Sequence, residues 1–577
     1  MPLGRAGRYL SAVALAALAT GLGAQTTDSS AASDVIVRGE VAARVDSFLT
    51  RAALHGLSGA IVVAQHGEVL LRKGYGIANR ERGAAVEPTT PFFIGSLAKQ
   101  FTAAAVLRLE ADGKLRLDDS LGTFFTSAPA DRRGITVRQL LSHSSGLPYL
   151  PSDGLWGRGS RDSVMREMMS ERLVFPPGSR YGYSTPGYIL LAGIIERASG
   201  VTYEQYMRSM FERARLTATG FVGERTRWSV SPVRSYSDAT TESSLADVPA
   251  LPRFVGAGSI VSTVGDLYQW YAALVRGDVL PDAQRDELFA PTLRLGPKLQ
   301  EALTWMLIDL PTGTLRQAAG DIGGFNAELR DYVDEGLVVA FASNARVRGR
   351  GYREIVMNYV ARMSRGERLP LPPAVADVPE SRLQSLPGTY ALPDSGAVEL
   401  WVAGDSLMIG ARNASGLALL AGHDTAQTQR ATELDERTRR FLLALDVDTL
   451  ALEFMHASIP ADARHEYLER IRKMLGDSVA TRATLVGTAV DSPAGARSYV
   501  RLRGAKGEAV VSLVWNGGML IGLEPAGRAA YPLWLRSDGP DVLVSFDLFS
   551  GRLVRVTLLG EREIGIEANG EKRRATR

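Results

Sequence analysis

The 577-residue sequence contains no cysteine. That excludes disulfides, thiol catalysis and a lipid joined through cysteine. Histidine is scarce: the six residues, at 55, 66, 143, 423, 456 and 465, are scattered without ligand spacing. There is no H-E-x-x-H, no Walker loop and no G-x-S-x-G elbow. No metal or organic cofactor is therefore implied. An excess of one charge is missing too, since 66 Lys and Arg stand against 63 Asp and Glu, for a net charge of +3. Charge so mixed gives no argument for nucleic acid or an anionic membrane. The apolar run from Tyr9 to Ala24 is short of the ~20 residues a membrane span needs.

What is present suits a soluble globular protein, with 45% hydrophobic and 22% charged residues. The length predicts two or three domains. Arg5 and Arg8 precede the Tyr9 to Ala24 run, which reads as a secretory signal cleaved near Ala24, with an uncleaved anchor as the alternative. Cleavage removes two arginines and no acids, taking the charge from +3 to +1. The expected location is exported, periplasmic or secreted. Without disulfides the mature chain must rest on its core, and it is long enough to build one.

Residues 91–111 organise the chain. An apolar entry, Phe92-Phe93-Ile94, meets Gly95 and then a helical pattern. Ser96 stands at an N-cap or first-turn position. Ser96 and Lys99 are three apart and share one face of a turn. A serine hydroxyl becomes a good nucleophile when an adjacent base takes its proton. A lysine whose pKa is lowered by burial can be that base. A bare S-x-x-K is also what a capped amphipathic helix looks like, so the rest of the chain must decide.

Ahead of it, Val41 to Leu54 predicts a helix, and residues 59–71 predict a hairpin turning at His66-Gly67. Thr136 is placed to cap a short helix ending at Gly146-Leu147-Pro148. His143 within it reads as a packed, hydrogen-bonded histidine rather than a base. Tyr183-Ser184-Thr185-Pro186-Gly187 forms a loop before a helix from Ile189 to Ala198. A further helix starts near Asp266, with Trp270 and Tyr271 as core. Strand-like runs end this part at Leu337 to Ser343. Strands at both ends with helices between them predict an α+β plan.

The order of these motifs resembles the serine β-lactamase-like family: class C β-lactamases, penicillin-binding DD-peptidases and related esterases. The resemblance spans about residues 40–360. Ile94 through Thr102 looks like the nucleophile segment, Leu140 through Leu147 like the structural segment after it, and Tyr183-Ser184-Thr185 like the Tyr-x-Asn motif. The resemblance implies an α+β β-lactamase/transpeptidase-like domain. It implies Ser96 as acylated nucleophile, Lys99 and Tyr183 as its proton relay, and the backbone N–H groups of Ser96 and Asp321 as oxyanion hole. It places Thr185, Ala318 and Gly320 at substrate-binding positions. Two departures stand out. Thr185 replaces the family's Asn, and Ala318-Ala319-Gly320 occupies its Lys/His-x-Gly site. A less favoured frame puts Asp321-Ile322-Gly323 there. Either way the cation that helps bind a substrate carboxylate is missing. That argues for neutral ester or amide substrates, and an Asp321 close to the site would further disfavour anions.

The boundaries expected are 1–24 signal, 25–365 hydrolase domain, 366–380 Pro-rich linker, 381–430 small β-rich domain and 431–577 α+β accessory module. Helices are expected over 431–475, broken at Pro460, and strands beyond Ala483. Lys572 to Arg577 reads as a disordered basic tail. The sequence thus predicts an exported serine hydrolase of small ester, amide or D-amino-acid peptide substrates, esterase-like rather than a true β-lactamase. The competing reading is a catalytically inactive receptor or scaffold that binds peptides or a partner protein. Oligomeric state is not readable.

Overall fold

The computed structural model describes residues 35–577 apart from 152–158, 225–232, 238–239, 245–251, 348–349, 405, 446–450, 456–467, 470–482, 491–494, 505–506 and 549–550. The expected leader at 1–24 lies outside the described residues, as does Pro460.

A nine-stranded antiparallel sheet forms the frame. Its spatial order is Ile36–Val37, Glu68–Tyr75, Gly59–Gln65, Leu337–Ser343, Phe325–Tyr332, Gly313–Ile322, Trp305–Leu310, Leu299–Ala302 and Leu293–Gly296. The sheet is thus built from both ends of this region, as the sequence predicted. The expected hairpin turns at His66 (φ +50°) and Gly67 (φ +84°), the two positive values of a tight two-residue turn that matches strand twist.

Both faces of the sheet are covered. Ala60, Val62, Leu329 and Ala340 meet a core that holds Phe101, Tyr188 and Trp270. Their neighbours Ile61, Val63, Val339 and Phe341 meet Val45, Phe48, Val356 and Val360, from helices Gly39–Leu54 and Arg353–Ser364. Burial on both sides is why these strands read as continuous apolar runs without alternation.

The C-terminal part is β-rich. Strands Gly388–Ala391, Ala397–Ala403 and Ser406–Ala411 join Ala530–Ser537, Val542–Asp547, Arg552–Leu558, Glu563–Ala568 and Glu571–Thr576 in a closed barrel. Between its third and fourth strands sit helices Ala414–Ala421 and Thr425–Ala444 and a four-stranded sheet from Ala483–Val490 to Met519–Gly527. Barrel strands therefore lie on both sides of the boundary expected at 430/431. The basic end is no loose tail. Arg573 pairs with Ile566, Ala575 is fully buried, and Thr576 pairs with Ala391 to close the barrel.

Two seams tie the barrel region to the first domain. In the Pro-rich segment, Arg51 donates to the Pro372 carbonyl at 3.2 Å and the His55 ring to that of Pro373 at 3.1 Å. The Trp534 ring faces the Arg80 guanidinium at 5.3 Å, and that guanidinium also covers Tyr236 at 4.3 Å. Tyr236 pairs in parallel with Ala345, just past the sheet.

Candidate active site

Gly95–Ala98 forms one 3₁₀ turn that feeds the helix Lys99–Ala111. Gly95 needs its glycine: φ is +52°, and a Cβ there would lie 3.0 Å from the backbone N and O of Asp321. Ser96 does not cap the helix. Instead its Oγ accepts a hydrogen bond from Lys99 Nζ at 3.0 Å. The turn thereby frees the hydroxyl from backbone duty and points it at a side chain.

Lys99 is 2% exposed. Its Nζ also donates to the Ala257 carbonyl at 3.0 Å and lies 4.9 Å from the Tyr183 ring. None of these neighbours is a carboxylate. Burial therefore acts unopposed and pushes the ammonium's pKa down to about 7. Near neutral pH a large share of Lys99 is a free amine with a lone pair beside the serine. The helix is held in place by Thr102, which bonds Tyr203 at 2.8 Å and the Gly256 carbonyl at 2.7 Å.

Burial pushes the Tyr183 phenol up to about 12, outweighing the neighbouring Ser96 hydroxyl, which acts to lower it. It is a neutral phenol across the physiological range. The segment after the Val137–Leu141 helix fixes it. Thr136 caps that helix, as the sequence predicted, and does so with a full capping box, but the helix stops at Leu141 rather than at Gly146. His143 stacks on the Tyr183 ring at 4.3 Å and accepts from the Ser184 backbone N–H through Nδ1 at 3.1 Å. Burial, aided by the Lys99 charge, holds the imidazole well below the usual histidine range. His143 is thus a packed, neutral histidine, in line with the sequence reading. Ser184 caps the Thr185–Ser199 helix by accepting from Gly187 N–H at 3.1 Å. Thr185, buried, donates its N–H to the Tyr149 carbonyl at 3.0 Å.

The opposite wall is the end of the Gly313–Ile322 strand. Its pairing with Trp305–Leu310 stops at Gln317, so the following residues turn that edge to the Ser96 turn. A Cβ on Gly320 would sit 2.1 Å from the Ile94 carbonyl, 2.5 Å from Leu97 N and 2.6 Å from Ser96 N. Two backbones thus touch here, which only glycine permits. Ala318 is two residues back, so its methyl shares the face of Gly320; it is 5% exposed and carries no charge.

Asp321 lies one residue on, and strand alternation sends its side chain to the other face. There Arg353 meets it at 2.7 Å and Arg346 at 3.4 Å. Arg353 also reaches the buried Glu328 at 3.7 Å, which Arg330 holds at 2.6 Å. The expectation that a nearby Asp321 disfavours anions is qualified by these ion pairs: its charge still acts on Tyr149 and Tyr183, but guanidinium groups offset it. Its backbone is at the site, but its carboxylate is directed away and paired with guanidinium groups. Sequence reasoning missed Arg346 and Arg353 because no spacing rule links them to Asp321; they arrive through the fold. It also missed Glu301, fully buried, whose carboxyl burial pushes up to about 7.

Comparisons with known proteins bear on the family and the fold. The family described as Beta-lactamase matches residues 41–361, more than half of the chain. Penicillin-binding protein 4* of Bacillus subtilis (strain 168) is 25% identical over 421 residues, covering 67% of this chain and 91% of that protein. The octameric penicillin-binding protein homologue from Pyrococcus abyssi superposes with a TM-score of 0.50 at 17% identity, covering 93% of this chain and 99% of the other. The D-amino acid amidase from Ochrobactrum anthropi SV3 gives a TM-score of 0.50 at 20% identity over 57% of this chain and 99% of the amidase. The two structural likenesses speak to fold.

Proposed function

The chain belongs to the β-lactamase family of penicillin-binding-like serine hydrolases, and from that premise we propose that it cleaves ester or amide bonds through an acyl-enzyme on Ser96. The observation that carries the proposal is the buried Lys99 Nζ, 3.0 Å from Ser96 Oγ, with a pKa near 7. The neutral amine accepts the Ser96 proton as Oγ attacks the substrate carbonyl. The resulting oxyanion is met by the N–H groups of Ser96 and Asp321. Losing one such donor typically costs about 10²–10³ in rate. The C–O or C–N bond then breaks, and the proton passes through Tyr183 to the leaving group. A water molecule hydrolyses the acyl-enzyme by the reverse relay. Tyr183 acts as a phenol throughout, since a pKa near 12 leaves it protonated in the resting enzyme.

Neutral substrates fit best, because the wall at Ala318 offers no cation for a carboxylate. A fold shared with a D-amino acid amidase is compatible with amides as well as esters, so D-amino-acid derivatives are the peptide-like substrates to try first. Export follows from the N-terminal pattern of Arg5, Arg8 and Tyr9 to Ala24. A second reading, an inactive peptide-binding receptor, is favoured by Thr185 and Ala318 where the family has Asn and a cation. Labelling with a fluorophosphonate probe and turnover of p-nitrophenyl acetate separate the two. Both signals should vanish in Ser96→Ala and Lys99→Met. A folded wild-type protein that neither labels nor turns over substrate leaves only the receptor reading.

A further inference from the structure

Large apolar side chains exposed beside a nucleophile need an explanation. Tyr149 is 51% exposed and Leu150 is 41% exposed. Other apolar residues are as exposed, such as Ile77 at 44%, Val201 at 43% and Leu443 at 73%, but Tyr149 is the one whose ring packs beside Tyr183. The Tyr149 ring centroid is 5.6 Å from that of Tyr183, tilted by 44°, and the Tyr183 ring lies 4.9 Å from the Lys99 Nζ that bonds Ser96. The Tyr149 phenol is pushed up by burial, by Tyr183 and by Asp321.

The position is pre-set. The Tyr149 carbonyl accepts from Thr185 N–H at 3.0 Å. Behind it, Gly146 has φ +79°, and a Cβ there would lie 2.2 Å from the Phe175 carbonyl. His143, Ser145 and Leu147 are all buried. An exposed ring on a backbone this constrained loses little freedom when a ligand covers it. Tyr181 adds a second ring edge-on to His143 at 5.9 Å. No charged side chain is added on this side of the cleft by Tyr149, Leu150 or Tyr181.

We propose that Tyr149 is a specificity-determining wall of the site, selecting substrates that place an aromatic or flat apolar group beside the scissile carbonyl. This rests on the reading of Ser96 as nucleophile. The group would lie on the exposed face of Tyr149 while Ser96 attacks. Neutral aryl-substituted esters and amides, including those of aromatic D-amino acids, are the class this wall fits.

Boronic acids test it, because a boron adduct forms on the nucleophilic serine without turnover. Inhibition constants for methylboronic and benzylboronic acid are measured on wild type, Tyr149→Phe and Tyr149→Ala. Wild type and Tyr149→Phe should prefer the benzyl compound. In Tyr149→Ala that preference should fall about three- to tenfold, the range for one aromatic pair, with methylboronic affinity unchanged. An unchanged preference overturns the proposal. So does an equal loss for both acids, which would make Tyr149 a support for Tyr183. If folded wild type binds neither acid, the nucleophile assignment fails first and the wall falls with it.

Discussion

Replacing Lys99 by methionine should abolish activity yet make the protein more stable at pH 6 and less stable at pH 10. An unfolded lysine titrates at 10.5, and burial takes the folded value to about 7. Between those values the unfolded chain holds a proton that the folded chain has shed, so stability rises with pH. Above 10.5 both states are neutral and the burial cost is absent. Below 7 the cost is complete. At 1.36 kcal/mol per pH step it amounts to about 5 kcal/mol. Lys99 is 2% exposed, so solvent screening takes little from that figure.

Methionine fills a similar volume without the charge. It forfeits the bond to Ser96 and strands the Ala257 carbonyl, which accepts from Lys99. A buried carbonyl left unpaired costs about 1–3 kcal/mol. The balance at pH 6 is a gain of about 2–3 kcal/mol, or roughly 5 °C in melting temperature. By pH 10 the charge penalty has nearly gone and the lost bonds dominate, so the sign reverses. Scanning calorimetry of both proteins at pH 6, 8 and 10 reads this directly. A stability difference that stays constant with pH would refute the reasoning, because it would mean that Lys99 is charged in the folded protein.

The same titration sets the rate. kcat/KM for p-nitrophenyl acetate should climb with pH through about 7 as Lys99 deprotonates, and Tyr183→Phe should lower the plateau while leaving that limb in place. Gly320→Ala forces a methyl to 2.1 Å from the Ile94 carbonyl; we expect the strand edge to shift and fluorophosphonate labelling to slow by at least about 10²-fold, the loss of one oxyanion donor. Asp321→Asn keeps the backbone N–H and releases Arg353 and Arg346, so turnover of a succinyl ester relative to an acetyl ester should rise severalfold. Trp534→Ala removes the ring facing Arg80 at 5.3 Å. For a half-buried ring we expect about 2 kcal/mol of destabilisation, roughly half a full core truncation, visible as a lower melting temperature and faster proteolysis near 365–387.

The serine segment, the hairpin, the capped helix at Thr136 and the sheet drawn from both ends were legible because each rests on local pattern: period, turn chemistry or cap. The placing of Gly320 beside Ser96 was legible only through family resemblance, since 224 residues separate them in the sequence. The fate of the Asp321 carboxylate was not legible at all. It depends on the parity of one strand and on where a helix starting at Arg353 ends up. The last strand carries a local turn signal. Asn569-Gly570, with φ of +53° and +82°, joins Glu563–Ala568 to Glu571–Thr576, and Asn-Gly is a strong hairpin marker. The run Lys572-Arg573-Arg574 masked it, because Lys572 and Arg574 share the face in water while Arg573, on the other face, is paired with Glu571 at the barrel's end. The barrel itself was hidden by its insertion, since a strand partner more than a hundred residues away leaves no periodic trace.

One strand end explains how the site can lack the family's cation and still hold together. Successive side chains on it point to opposite faces. Gly320 faces the nucleophile, where the absence of a side chain lets two backbones touch. Asp321 faces the Arg353–Ser364 helix, where its charge is used to pin the strand through Arg353, itself anchored on Glu328. The same residue can therefore offer a backbone N–H to the cleft while its charge is held by guanidinium groups on the far face. With Ala318 uncharged on the near face, this strand puts no charged side chain on that face, and Asp321 acts on the cleft only through a field that its arginine partners offset. Charge selection is then weak here, and shape and stacking at Tyr149 are left to discriminate among substrates. If the Asp321→Asn and Tyr149→Ala variants alter selectivity, they should do so independently, the first along a charge axis and the second along an aromatic one. Their effects on one aromatic, uncharged ester should follow Tyr149 alone. A double variant whose loss on that ester exceeds the Tyr149→Ala loss by more than about 0.5 kcal/mol, the limit for independent sites, would show that the carboxylate reaches the cleft after all.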